Sequence, residues 1–333
     1  MQQLSAAFGK YFCYNMEMIN YFLSIFSTKD TLEFLLVNDA PRPLVIRCNR
    51  IRTRRKDLAK RLISRGCQVD VLGDWSKTGL LVTDSTVPVG ATPEYLAGHY
   101  MIMAASSFLP VLALDAQKNE HILEMAAAPG GKSTFIAEMM ENTGILVAND
   151  LNKKRLNALL SNIHRLGVRN AIVTNEDGRK LKEYFPIKFD RVLLDAPCSG
   201  SGVFSKDPEA RIKKSLADFQ KMSTLQKELL LSAIDLTNAN SPKGGIIVYS
   251  TCSIAVEENE AVIDYALRER NIKLLEIDFP GTPGFTRYKD KKFHPSLKNA
   301  RRVYPHKNGM DGFFFVKIKK LDNSIPKSAK SDN

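Results

Sequence analysis

The 333-residue sequence predicts an α/β protein: a doubly wound parallel sheet preceded by a small α/β module and a helical segment. Three observations carry that expectation. From residue 118 onward, short apolar runs rich in branched residues alternate with helical stretches, the pattern of parallel strands joined by crossover helices. Residues 41–92 show short strands around one basic amphipathic helix, broken by Pro and Gly. In the first 40 residues, Phe12, Met16, Ile19, Leu23 and Phe26 recur at helical spacing, which predicts a helix facing a core.

The elements follow in order. "PLVIRCN" opens the small module and "GLLVTDS" belongs to its later strands. "GATPEYLAGHYMIMAASSFLPVLAL" (90–114) reads as one helix with Pro93 in its first turn, leading into a second domain that spans 93–320. His99 falls within it and reads as a packed or surface histidine. "HILEMAA" then precedes "GKSTFIAEMM", "GILVAND" precedes "KKRLNALLSNIHRLG", and "AIVTNED" precedes "GRKLKEYF". "DRVLLDA" precedes "LADFQKMSTLQKELLLSAIDLT", "GGIIVYSTC" precedes "VEENEAVIDYALRER", and "DGFFFVKIK" adds a last strand. Residues 321–333 read as a flexible basic tail.

Composition narrows the class. Hydrophobic content of 44% and charged content of 25% are those of an ordinary globular chain, and no apolar run reaches membrane-spanning length. Five cysteines, at 13, 48, 67, 198 and 252, are odd in number and show no C-x-x-C pairing, so a disulfide framework and a zinc site are not expected. The net charge of +12 is unevenly placed. Residues 42–65 carry ten Lys or Arg against one Asp, and "TRYKDKKFHPSLKNARRVYPHK" is similarly basic. Two such regions point to nucleic acid as the partner.

In open α/β sheets, ligands bind at the carboxyl ends of the strands. The first strand of the second domain ends in Ala126, Ala127, Ala128, Pro129, Gly130, Gly131 and Lys132, small residues that let a ligand approach the backbone before a helix N-terminus. The second ends in Asp150, roughly 20 residues on, where a carboxylate can hold ribose hydroxyls. The third ends near Asp177 and the fourth at Asp195. One such acid could simply cap a helix; three around one glycine-bearing turn suggest a nucleoside site. "AAAPGGKS" also lies one residue from the phosphate-binding pattern of nucleotide triphosphatases. Against that reading, Ala126 takes the place of the first glycine, Pro129 removes an amide donor, and Asp150 and Asp177 would face a triphosphate. S-adenosylmethionine, with a ribose, no phosphate and a positive sulfonium, suits the acids better.

"EMAAAPGGK", "DAPCSGSG" and "STCS" resemble the motifs of the Nol/Nop/Sun family of RNA cytosine-5 methyltransferases. "PRPLVIRCN", "WSKTGL", "GATPEYLAGHYM", "GVFSKDP" and "RRVYPHKNGMDGFFF" resemble its nucleolar protein two branch, whose substrates are large-subunit rRNAs. The resemblance runs from about residue 30 to 320. It implies a Rossmann-like S-adenosylmethionine-dependent methyltransferase domain behind an RNA-recognition-like (RRM-like) module, acting on rRNA in a pre-ribosomal particle alongside assembly factors. It implies nucleus and nucleolus as the location; the long charged N-terminal extension of that branch is not in this sequence. It assigns the nucleophile to Cys252 and the release step to Cys198, whereas the Pro-Cys arrangement of DNA cytosine-5 methyltransferases would make Cys198 attack. Asp195 would contact cytosine N3, and Lys132 or Lys206 would favour the thiolate. Many members carry Gln where Met103 stands. Cys13, Cys48 and Cys67 read as small apolar filler. A ribosome-assembly factor with vestigial catalysis remains the second reading.

Overall fold

The computed structural model describes residues 2–324; the end of the expected basic tail, from 325, lies outside the described residues. Three helices open the chain: α1 (Gln2–Phe12), α2 (Met16–Ile25) and α3 (Thr28–Asp39). Asn15 and Ser27 cap α2 and α3 by accepting from Met18 N and Asp30 N. Their apolar faces do not form a separate bundle. Tyr14, Phe22 and Phe34 pack with Phe204, Phe219, Ile254 and Tyr304 of the second domain, so these helices support the turns that follow two of its strands.

The small module comprises β1 (Leu44–Cys48), α4 (Arg55–Ser64), β2 (Cys67–Val71), β3 (Gly79–Ser85), α5 (Pro93–Leu96) and β4 (Tyr100–Ile102). Its sheet runs β2-β3-β1-β4, antiparallel throughout. Alternation along β1 decides what each face meets. Ile46 and Cys48 join Leu58 and Leu62 of α4. Val45 and Arg47 instead face the second domain, where Val45 joins its core and Arg47 is fully buried. The module is therefore docked through the open face of its sheet, and α4 points outward.

The expected single helix at 90–114 is not formed. A 3-10 turn, α5, β4 and α6 (Phe108–Leu114) take its place, and the small sheet recruits 100–102, past the expected boundary at 92. Gly98 turns the chain at φ +73°, where any Cβ would lie 1.9 Å from the Arg165 carbonyl oxygen. Tyr100 is then buried, its hydroxyl donating to Val89 O. His99 lies in that turn, against Arg61.

The second domain contains β5 (His121–Glu124), α7 (Gly131–Met139), β6 (Ile145–Asn149), α8 (Lys153–Leu166), β7 (Ala171–Thr174) and α9 (Leu181–Tyr184). It continues with β8 (Arg191–Asp195), α10 (Ala210–Lys213), α11 (Leu216–Leu236), β9 (Ile246–Thr251), α12 (Glu260–Glu269) and β10 (Ile272–Leu275). The short strands β11 (Thr282–Pro283), β12 (Arg287–Tyr288), β13 (Lys291–Lys292) and β14 (Arg301–Val303) precede α13 (Pro305–Asn308) and β15 (Phe313–Lys320). The large sheet runs β7-β6-β5-β8-β9-β15, with β10 and β14 pairing the far edge of β15. The first five are parallel and β15 is antiparallel. Period-two alternation buries Val192 and Leu194 beneath α11 and α12, and Leu193 beneath α6 and α7. Strand order reverses between β5 and β8, the switch point at which such sheets bind ligands.

Candidate active site

The chain leaves β5 at Glu124, which is buried, and crosses the sheet edge through Met125–Gly130. The Ala128–Pro129 peptide is cis, and Gly130, at φ +99°, is the residue from which α7 starts. Ala127 N donates to Asn149 O, Ala128 N to the Asp150 carboxylate at 3.0 Å, and Gly130 N back to Ala127 O. These amides point into the protein. A phosphate-binding loop needs them pointing at the ligand, so the triphosphatase reading has no structural basis here.

A cavity of about 330 Å³ opens above this loop. Ala126, Ala127, Ala128, Pro129, Gly131 and Lys132 line one side, Met101–Ala104 the other, with Glu124, Asp195, Arg155 and Lys206 around it. The lining fits S-adenosylmethionine. At Ala126, Ala127, Ala128 and Gly131, side chains no larger than a methyl leave room beside the backbone, Asp195 offers a carboxylate to a sulfonium or an ammonium, and Lys132, Arg155 and the start of α7 suit a carboxylate. Burial pushes Glu124 up to about 8, so it is a neutral acid at pH 7, held by the Ser133 hydroxyl at 2.5 Å.

The structure treats the predicted acids unequally. Asp195 reaches the cavity; its carboxylate takes Lys132 Nζ at 2.6 Å on one oxygen and Ser250 Oγ at 2.6 Å on the other. Asp150 is buried with both oxygens on backbone amides, of Ala128 and Asn152, and Arg155 beside it is the residue that lines the cavity. Asp177 lies three residues beyond β7, caps a 3-10 turn and is gripped by Arg179, away from the cavity lining. Met103 lines the cavity at the place expected for Gln in many relatives, with Arg47 Nη1 3.9 Å from its sulfur.

Cys198 and Cys252 meet. They follow the adjacent strands β8 and β9, and their sulfurs stand 3.0 Å apart, both thiols free. Backbone packing enforces the meeting. Gly202 N donates to Cys252 O and Gly312 N to Gly202 O, and a Cβ on Gly202 would lie 2.2 Å from Gly312 O. The hydrogen bond to Cys252 pushes the Cys198 thiol well above its ordinary range; burial and the charges of Cys252 and Glu258 add to that. Burial pulls Lys132 down, but Asp195, Glu124 and the Cys252 thiol outweigh it and hold the ammonium above its usual range. Of the two candidate lysines, Lys132 is thus the one coupled to the thiols; Lys206 is paired with Asp311 at 2.5 Å.

Sequence reasoning missed the supports. Glu258 accepts from the residue after each cysteine, Ser250 orients Asp195, and Arg302 holds Ile254 O while ion-paired to Glu260. Three acids in "VEENE", a few residues beyond a buried strand, were the available signal. Arg47, counted in the basic region, is an interior residue: it donates to Gly131 O at 2.6 Å and Thr134 Oγ1 at 3.0 Å and stacks on Phe135.

Comparison with known proteins agrees with this arrangement. The family described as "16S rRNA methyltransferase RsmB/F" matches residues 111–319. The "28S rRNA (cytosine(4447)-C(5))-methyltransferase" of Homo sapiens is 53% identical over 330 residues, 98% of this chain and 40% of that protein. The "25S rRNA (cytosine-C(5))-methyltransferase nop2" of Schizosaccharomyces pombe is 56% identical over 319 residues, 95% of this chain and 52% of that protein. The chain thus spans about half or less of the length of these relatives. A crystal structure of a methyltransferase homolog from Pyrococcus horikoshii superposes with a TM-score of 0.85 at 33% identity, covering 95% of this chain and 99% of that one. With its switch-point cavity, its two free thiols and this degree of identity, the chain belongs to the RsmB/F methyltransferase family.

Proposed function

We propose that this chain methylates carbon 5 of a cytosine in large-subunit rRNA, with S-adenosylmethionine as donor, on a pre-ribosomal particle in the nucleolus. The observation that carries the reading is the Cys198–Cys252 pair, 3.0 Å apart beside the Asp195–Lys132 pair and the switch-point cavity. Carbon 5 of cytosine is too poor a nucleophile to take a methyl group unaided, and a thiolate adding at carbon 6 turns it into an enamine. The donor, when bound, supplies an electrophilic methyl group.

The residues divide the work. Lys132 favours the thiolate on Cys252, whose sulfur forms the bond to carbon 6. Asp195, oriented by Ser250 and sharing Lys132's proton, holds cytosine N3 as negative charge gathers there. Carbon 5 then takes the methyl group. Once its own thiol proton has passed to solvent, Cys198 receives the carbon 5 proton, the carbon–sulfur bond breaks, and the electron pair returns to Cys252. A base must be extruded from its helix to meet both thiols, as with other enzymes that act on single bases. Positive charge on the module serves the phosphates, which set position and not sequence.

The test is a denaturing gel of protein incubated with labelled rRNA and S-adenosylmethionine. Cys198→Ala is expected to accumulate a covalent RNA adduct, and Cys252→Ala and the double variant to form none. An adduct in Cys252→Ala would reverse the two roles; none in any variant, beside firm RNA binding, would leave an assembly factor without catalysis.

A further inference from the structure

We infer that Glu258 is a positioning residue for the two-thiol chemistry: it grips both cysteine-bearing turns and keeps the proton shared between the thiols on Cys198. The inference rests on the proposed function for its chemistry but on geometry for its existence. Glu258 is 0% exposed. One oxygen accepts Ser199 N at 2.8 Å and Gln226 Nε2 at 3.2 Å; the other accepts Ser199 Oγ at 2.6 Å and Ser253 Oγ. Ser199 directly follows Cys198 and Ser253 directly follows Cys252. Gln226 also donates to Pro197 O, the residue before Cys198. A single carboxylate therefore ties down the flanks of both thiols, 54 residues apart in sequence.

Burial raises the Glu258 carboxyl above its usual range, while the four donors converging on its two oxygens oppose that and favour the ionised form, which can only accept. Its two acidic neighbours are answered differently: Glu257 takes the Tyr21 hydroxyl, and Glu260 pairs with Arg302. Among the described residues no cation lies within 4.0 Å of Glu258. An uncompensated buried charge is costly, and its field reaches what lies next to it. That neighbour is Cys198, one residue before Ser199. The other groups facing the pair do not cancel the asymmetry. Tyr249 is buried and neutral, donating to Glu258 O; Asp195 is answered by Lys132, and Lys132 favours charge on Cys252. With the anion on its side, Cys198 is the sulfur that keeps the proton.

The experiment follows Cys198 alone. In the 333-residue chain carrying Cys252→Ala, the pH dependence of iodoacetamide labelling is read on the Cys198 peptide by mass spectrometry, which separates it from Cys13, Cys48 and Cys67. The labelling midpoint is expected above that of the same chain in denaturant. Adding Glu258→Gln is expected to lower the folded midpoint by about one pH unit. Ser199→Ala leaves the charge and loosens the grip; it should cut methyl transfer several-fold in the otherwise intact chain with the midpoint unmoved. An unmoved midpoint in a Glu258→Gln chain that melts like its parent overturns the inference. If Glu258→Gln does not fold, a Cys198 midpoint in the Cys252→Ala chain at or below its denatured value overturns it equally. Labelling needs no RNA, so an absent covalent adduct would sink the proposed function and leave this result standing.

Discussion

The loop after β5 and the paired turns after β8 and β9 lie at the same edge of one sheet, yet they are held by opposite means. The loop at 125–130 is fastened by many small bonds: backbone amides to Asn149 O and Asp150, a glycine start to α7, and an arginine of the module, 84 residues away in sequence, pressed on α7's first turn. The thiol turns are fastened by few long-range ones, converging on Glu258 and on three backbone segments that touch at Gly202 and Gly312. The difference follows from what each must do. A donor site needs a recess lined by backbone and tolerates small displacements. Two sulfurs that divide one proton need a fixed separation, and misplacement by 1 Å can cost on the order of 100-fold in rate.

The largest expected effect tests the first half of that contrast. Arg47→Met removes a buried guanidinium from Gly131 O and Thr134 and leaves Glu138 without its 3.5 Å partner. Breaking one side of a buried pair costs about 3–5 kcal/mol, and denaturant unfolding should show it. Because the remaining local bonds still shape the loop, S-adenosylmethionine affinity in the folded fraction should fall less than tenfold. A complete loss of donor binding in folded protein would mean that the loop, too, hangs on one clamp.

Gly202→Ala tests the other half. Its methyl group would meet Gly312 O at 2.2 Å and Cys252 O at 2.8 Å, so the backbone under Cys252 must shift. Methyl transfer should drop by about 100-fold or more, with donor affinity nearly unchanged. Gly309→Ala is the control: nothing lies within 4 Å of its Cβ, and only its φ of +63° is strained, about 1 kcal/mol of stability. Equal losses of activity in the two would refute the close-packing account.

The same contrast explains what could be read before the structure was known. The donor loop is contiguous, and "AAAPGGK" displays its small residues and helix start in seven letters. Both cysteines were visible because each closely follows a strand. The supports were not, since Glu258 reaches Ser199 across 59 residues and Arg302 reaches Ile254 across 48, pairings that no local pattern encodes. Asp150 and Asp177 are harder to read for a related reason: a strand-end acid can serve a ligand or its own backbone, and here both accept from backbone amides. The helix expected at 90–114 failed where tertiary pairing overrode local pattern, with 100–102 extended against β1.

Glu124 sharpens the donor side. Its carboxyl is raised by burial from 4.5 to about 8, so the folded chain binds a proton there that the unfolded chain has released. That contribution is complete below pH 4.5 and is lost as pH rises through about 8. Glu124→Gln keeps an acceptor for Ser133 and cannot ionise. Each pH unit is worth about 1.4 kcal/mol, so even half of the shift predicts a wild-type loss of about 2 kcal/mol relative to the variant between pH 5 and 8. Parallel stability curves for the two proteins would show Glu124 to be charged throughout.

A third region, the outward face of the module, should behave like neither. The sheet face of the module is taken up by the second domain, which leaves the cations of α4, Lys56 and Lys60 among them, exposed; under the proposed function they meet RNA. Contacts of that kind are additive and individually weak. Lys56→Ala and Lys60→Ala should each weaken RNA binding less than about tenfold and reduce the slope of log affinity against log salt by about 1, with the Cys252 adduct still forming at saturating RNA. Titrations from 50 to 200 mM salt read both quantities at once. A variant that lost adduct formation at saturation would place α4 in the chemistry; one that left the slope untouched would mean that the phosphates run elsewhere, with the basic stretch at 286–307 as the surface to substitute next.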